Sequence, residues 1–194
     1  MSDKQIVLSW RTDPKAMDAK LKNLSLLFIL IFTMDFLGTA MVKAELEPGR
    51  PLPVFILPSL DSQVVDLQDY LGKVVIIHLW KCQWNQCRAE IPHLQKVQEK
   101  YSPDKVVILS INVLDKKGRV AAEVEKYKMN YTVLVGRGEN LTSEYKIKKL
   151  PHLFILDQKG FIYTSERFLK EDEIIIILDK LIDQQEKDGI NESN

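Results

Sequence analysis

Two runs, 73-KVVIIHLW-80 and 105-KVVILSINVL-114, constrain this chain more than any other feature. Apart from a leading lysine, neither carries a formal charge, and both are rich in β-branched residues. A strand with one wet face alternates apolar and polar residues. These do not alternate, so each reads as a central strand covered on both faces. Between them, residues 85–101 read as a helix. Cys87, Ile91, Leu94, Val97 and Tyr101 recur at three- and four-residue spacing and make one apolar stripe. Pro92 lies inside it and should kink it, and 102-SPD-104 breaks it.

The rest of the chain repeats this alternation. Residues 45–52 form a proline-containing, extended linker. Residues 54–72 offer two short apolar runs around Asp61-Ser62, a hairpin signal. Residues 118–129 look helical, with Val120, Val124 and Tyr127 on one side, and 131–135 form a short strand. Residues 141–147 are a short helix, with Asn140 placed to cap it. Residues 152–157 are a strand, which 158-QKG-160 turns into a second one, 161-FIYTS-165. Residues 170–185 are a helix with acidic side chains in the first turn, which suits its macrodipole. Residues 186–194 are a polar tail that should fray. The implied architecture is α/β: a mixed central sheet with helices on both faces and an N-terminal β-hairpin.

The N-terminal segment is a separate matter. Lys20 and Lys22 precede an uncharged run, 23-NLSLLFILIFTM-34, and 36-FLGTAMVKA-44 follows Asp35. This reads as an export signal with Val42 and Ala44 at its small-residue positions, either cleaved or kept as a signal anchor. Met17 offers a second start, because the shorter leader beginning there is complete in itself. The uncharged run is about half of the ~20 residues a spanning helix needs. No cysteine closely follows it, which argues against a lipid anchor. Residues 1–44 are therefore a leader, 53–185 the folded domain, and the location is outside the cytoplasm, in the periplasm or on the outer face of the membrane. The chain carries 27 basic and 27 acidic residues and no basic stripe with interleaved aromatics. Nucleic acid is not an expected partner, and membrane contact is expected only through the N-terminal segment.

Both cysteines, Cys82 and Cys87, lie in 79-LWKCQWNQCRAEIPHL-94. Outside the cytoplasm disulfides persist. Two cysteines are too few for a stapled scaffold, so they read as a site. A thiol at a helix N-terminus meets free N–H groups and the dipole, which favour the thiolate. Cys87 falls within the first turn; Cys82 sits on the connection before it. A disulfide wants Cα atoms about 4.4–6.8 Å apart, and five residues leaving a strand end usually span more than that. A tight loop through Gln83, Trp84 and Asn85 would shorten the gap. The two readings are a bonded pair, or a buried thiol at Cys87 with an incidental one at Cys82.

A strand leading into a helix that starts at a cysteine resembles the thioredoxin superfamily. Over roughly residues 48–183 the chain is most similar to the exported TlpA/ResA-like branch. Residues 53–80 look like that branch's opening hairpin and first central strand. The run 87-CRAEIP-92 looks like the second half of its Trp-Cys-Pro-Pro-Cys-Arg-x-Glu-x-Pro helix, and 149-KLPHLFILDQKGFI-162 like its proline loop and closing hairpin. Residues 102–140 have the length of its extra strand and helix. The resemblance implies a three-layer thioredoxin-like sandwich and thiol–disulfide exchange with protein partners. It also implies that a membrane-bound electron donor is a fitting reductant, and that no cofactor is needed. It further implies that Pro151 is the family's cis-proline and that the Leu150 backbone pairs with a substrate chain. The departure is at the centre. Cys87 takes the second, buried cysteine position, and Trp84 stands where the attacking cysteine belongs.

Other polar and aromatic residues near the motif each admit a functional or a structural role. His78, two residues before Trp80, occupies the position of a buried Asp or Asn in the family. It is a candidate proton relay for Cys87, or else a hydrogen-bonded strand histidine. Trp84 is a candidate partner anchor at the helix start. Arg88 and Glu90 read as solvent-facing helix charges. His93 and His152 have no ligand-like spacing with the cysteines, so no metal is expected. Two functions follow. One is an oxidoreductase working through Cys87, Cys82 or both. The other is a redox-inactive module that holds a partner with Trp84 and Pro151. A peroxidase-like centre would need its cysteine at the Trp84 position and a Pro-x-x-x-Thr lead-in, and has neither.

Overall fold

The structure is a computed structural model that describes residues 46–137 and 140–192. The leader expected over residues 1–44 lies outside the described residues. β1 (Ile56–Pro58) and β2 (Val64–Asp66) form an antiparallel hairpin, turned at Ser62, whose φ of 68° is left-handed. A 3-10 turn (Leu67–Tyr70) follows, its Gln68 amide capped by the Asp66 side chain. Then come β3 (Val74–Trp80), α1 (Asn85–Lys100), β4 (Val106–Asn112), α2 (Lys117–Tyr127), β5 (Thr132–Val135), α3 (Leu141–Glu144), β6 (His152–Leu156), β7 (Ile162–Glu166) and α4 (Glu171–Glu192). The order is that read from the sequence.

The five main strands form one mixed sheet in the order β5-β4-β3-β6-β7. β3 is parallel to β4 and antiparallel to β6. All seven residues of β3 and all seven of β4 are buried. That is why neither run alternates: burying both faces removes apolar surface from water on each side, at about 25 cal/mol per Å². α1, α2 and α4 share one face. Arg88 of α1 meets Glu123 of α2 at 2.7 Å, and Lys96 of α1 meets Glu171 of α4 at 3.0 Å. Phe154, paired with Ile77, points to the other face. There Tyr145 packs edge-on against it and donates to the Pro53 carbonyl at 2.7 Å.

The lead-in to the hairpin crosses that second face. At one sheet edge, Gly49 and Arg50 exchange backbone hydrogen bonds with Ile162 of β7. At the other, Ser59 bridges Leu134 of β5, and the Leu60 amide donates to the Val133 carbonyl. Leu52, Phe55 and Leu57 are buried between these two attachments.

α1 runs as one helix through Pro92 to Lys100. Two local readings differ. Asn140 stands at the N-cap of α3, but its side chain makes no capping hydrogen bond. With φ near −86° and ψ near 31° it lacks the extended backbone that aims a cap side chain at the next amides. α4 runs to Glu192, well past the apolar periodicity that ends near residue 185. Among the described residues, no helix is long and apolar enough to cross a membrane.

Candidate functional site

β3 ends at Trp80, and the chain passes through Lys81, Cys82, Gln83 and Trp84 into α1. Gln83 takes a left-handed φ of 63°, which turns the chain sharply before the helix. Trp84 is the N-cap residue of α1 and caps nothing with its side chain. It is 43% exposed, and the Lys81 ammonium sits 3.3 Å from the ring centroid, a cation–π contact.

Cys82 is buried against the β4–α2 loop, which holds it through both its backbone and its sulfur. Its N–H donates to Asp115 Oδ2 at 2.7 Å, and Asn112 Nδ2 lies 3.5 Å from its sulfur. Asn112 also accepts from the Leu114 and Asp115 amides, which fixes the loop. Burial, and then the Asp115 charge, push the Cys82 thiol up to about 12. The Asp115 carboxyl is itself partly buried, which alone would raise it. Hydrogen bonds from the Cys82 amide, Asn112 and Arg119 outweigh that and hold it below its ordinary value. Asp115 therefore stays a carboxylate, and it opposes a thiolate at Cys82.

Cys87 lies in the first turn of α1 with no exposed surface. Burial raises its thiol, and the Glu90 charge adds to this. The Lys81 backbone amide and ammonium act in the opposite direction. Both cysteines are free thiols, and no disulfide joins them.

Glu90 corrects the reading from sequence. It is fully buried, not solvent-facing. It lies three residues after Cys87 and one before Ile91, on the stripe that faces the sheet, so helix geometry carries it inward. Its Oε2 is 3.2 Å from His78 Nε2, and its Oε1 takes the Leu169 amide at 3.4 Å. His78 Nδ1 is 2.9 Å from Ser110 Oγ on the adjoining strand. The His78–Glu90 approach is close, but its alignment falls short of a hydrogen bond. His78 Nε2, Glu90 Oε2, Trp80 Nε1 and Tyr131 Oη are all buried without a hydrogen-bond partner. The parallel rings of His78 and Trp80, 6.3 Å apart, lie on the same side of β3. Buried groups left unpaired in a core cost about 1–3 kcal/mol each, so such a group is uncommon away from sites that use it. Arg88, by contrast, is partly exposed and paired with Glu123. Two signals could have flagged Glu90 in the sequence: its position on the helical stripe, and its match to the Glu of the Cys-Arg-x-Glu-x-Pro run.

The Leu150–Pro151 peptide bond is cis, and Leu150 is buried. Pro151, Gln86, Ala89, Arg167 and Phe168 line a cavity of about 220 Å³ beside the first turn of α1. Thus the structure brings Pro151 next to the Cys87 turn and leaves Trp84 on the surface at the helix start. His93 sits edge-on against Phe168, and His152 bonds Ser165 Oγ at 2.9 Å. Among the described residues, no group of His, Cys, Asp and Glu side chains could hold a metal ion.

A strand ending in a cysteine-bearing helix, faced by a cis-proline loop, defines a thioredoxin-like protein. The thioredoxin domain of a thiol-disulfide oxidoreductase from Bacteroides vulgatus shares the fold. It matches with a TM-score of 0.64 at 22% identity, over 70% of this chain and 97% of that one. Within that class, residues 48–165 match the AhpC/TSA family, and the chain belongs to it. It is also similar to the thioredoxin-like protein YneN of Bacillus subtilis, 28% identical over 123 residues, 62% of this chain and 71% of that protein. The thiol-disulfide oxidoreductase ResA of Bacillus cereus is 25% identical over 118 residues, 61% of this chain and 68% of that protein.

Proposed function

We propose that this chain is an exported thiol–disulfide oxidoreductase whose centre works through Cys87 alone, with Trp84 in place of the family's attacking cysteine. One observation carries the reading: Cys87 stands at the start of α1 beside the Pro151 loop, with the buried Glu90 and His78 beneath it. In the forward step the Cys87 thiolate attacks one sulfur of a substrate disulfide. An S–S bond to Cys87 forms, and the substrate's other sulfur leaves as a thiolate. The Cys87 proton passes inward toward the Glu90 carboxylate and His78. A dithiol reductant completes the exchange: its first thiol attacks the Cys87 sulfur and releases the substrate's second thiol. Its second thiol then releases Cys87, and the reductant leaves as a disulfide while Cys87 regains its proton. Cys82 takes no part, because the Asp115 carboxylate held beside it opposes its thiolate. Export rests on Lys20 and Lys22 ahead of the apolar run 23–34. The leader is residues 1–44 and the working domain residues 53–185.

A second reading is supported by the burial of both sulfurs: a module that binds a partner with Trp84, Leu150 and Pro151 without turnover. One experiment separates them. The full chain and its Cys87→Ser and Cys82→Ser variants are incubated with a disulfide-bonded protein and reductant. Mixed disulfides are trapped by acid and counted by mass tag. The enzyme reading expects adducts and turnover in the parent and in Cys82→Ser, and neither in Cys87→Ser. Absence of adducts in the parent, with partner binding intact in Cys87→Ser, refutes it in favour of the module.

A further inference from the structure

The C-terminal ends of the parallel strands β3, β4 and β5 lie at one end of the sheet. β6 begins at that end, since Leu79 pairs with His152, and β7 finishes there, since Leu153 pairs with Glu166. The loops before β6 and after β7 therefore flank the first turn of α1. They carry Lys146, Lys148, Lys149 and Arg167, all exposed, and the strand-to-helix connection adds Lys81. No acidic residue occurs between Glu144 and Asp157.

These cations are unpaired, as Arg50, Lys126, Lys159 and Lys180 are elsewhere among the described residues, but they cluster at one end of the sheet. Lys73, Arg88, Lys96, Lys100, Lys105 and Arg119 each lie within ion-pair distance of a carboxylate. Among the described residues, none of Lys81, Lys146, Lys148, Lys149 and Arg167 does. The described carboxylates near this end are Asp115, engaged by Arg119 and the Cys82 amide, Glu123, engaged by Arg88, the fully buried Glu90, and the exposed Glu144 and Glu166. The excess is local, because residues 45–194 hold 23 acidic and 21 basic residues. At the same end as this basic rim lies the apolar cavity of about 220 Å³ lined by Gln86, Ala89, Pro151, Arg167 and Phe168; Lys146 and Lys148 border a neighbouring hollow with Tyr145 and His152 on the other face of the sheet. The Pro151 cavity is smaller than the roughly 300–1,000 Å³ of small-molecule sites and suits one side chain.

Accepting that substrates dock on this face, we propose that the site selects acidic polypeptide segments. An apolar side chain of the segment fills the cavity, and flanking Asp or Glu side chains face Lys146, Lys148, Lys149, Arg167 and Lys81. Unpaired charges around a docking surface act chiefly on encounter rate and partner choice, and they do so only where salt does not screen them. The cavity supplies a fixed anchor and the rim supplies the sign. Together they distinguish an acidic protein from a neutral or basic one presenting the same disulfide.

The test uses the full chain and two fluorescein-labelled synthetic peptides with the same central Phe-Leu, one flanked by glutamates and one by lysines. Fluorescence polarisation at low salt should show the glutamate peptide bound about tenfold tighter, with the preference lost near 0.5 M salt. The triple variant Lys146→Gln/Lys148→Gln/Lys149→Gln should lose that preference at an unchanged melting temperature. Lys73→Gln/Lys105→Gln, at the opposite end of the sheet, should keep it. Equal binding of both peptides, or a preference that survives the triple substitution, overturns the proposal and leaves the docking face intact. Failure of both peptides to bind overturns the docking face as well. A charge-indifferent peptide result, with phosphatidylserine vesicles bound by the parent but not by the triple variant, also overturns it and reassigns the rim to a lipid surface.

Discussion

Alkylation of Cys82 by iodoacetamide, followed in a Cys87→Ser background, should be very slow and show no plateau below pH 10. The thiolate is the reacting species, so the rate follows its population. A thiol titrating at about 12 has roughly one thiolate in 10⁴ at pH 8; one at the unperturbed 9.0 has about one in ten. The expected slowing is about 1,000-fold. The logarithm of the rate should rise one unit per pH unit from pH 7 to pH 10. Asp115→Asn removes the second-largest cause and should speed alkylation, yet leave it well below an exposed cysteine, because burial comes first. Stopped time points read by mass spectrometry give these rates directly. A curve that levels near pH 9, or an Asp115→Asn variant no faster than the parent, would refute the electrostatic account of this thiol.

Three further outcomes are expected. His78→Leu should cost about 1–3 kcal/mol in urea unfolding by replacing the imidazole 3.2 Å from the buried Glu90 Oε2 with an apolar side chain. His78→Leu/Glu90→Leu should recover most of that loss, giving a coupling above about 1 kcal/mol; additive losses would show that the two side chains do not depend on each other. Burial lowers the folded-state pKa of His152 below its ordinary 6.5, so the unfolded chain takes up the proton first. The contribution of His152 to stability is therefore full above pH 6.5 and falls as pH drops through its unfolded and then its folded pKa. The denaturation midpoint should decline between about pH 7 and pH 5, less so in His152→Gln, and equal slopes would contradict this. Gly136→Ala should destabilise by about 1–3 kcal/mol, since its new Cβ would stand 2.8 Å from Ile111 Cγ2 and 3.0 Å from Leu141 Cδ1; an unchanged melting curve would show that this corner can yield.

The strands were legible because burial on both faces leaves a local signature. Val74–Trp80 and Val106–Asn112 read as covered strands before any contact is known. The stripe from Cys87 to Val97 was legible for the same reason, since helical spacing is a property of neighbours in sequence. Glu90 was not, although it sits on that stripe. A carboxylate on an apolar face is read outward unless its partner is known, and the partner, His78, belongs to another element. The environment of Cys82 was equally hidden. Asp115 lies 33 residues away and reaches the cysteine only because β4 runs beside β3. The fold was thus written in local periodicity, while the chemistry of both thiols is set by side chains that only the sheet brings together.

The lead-in segment has a consequence for how this domain keeps its own company. A five-stranded open sheet has two outer strands whose free N–H and C=O groups would template pairing with another copy. Here one short stretch, from Gly49 to Leu60, satisfies part of both: it bonds to Ile162 at one side and to Val133 and Leu134 at the other. A single strap therefore guards the sheet against edge-to-edge aggregation at both margins. A proteolytic cut within it should loosen the cover of β5 and β7 together and open both margins to pairing in one event.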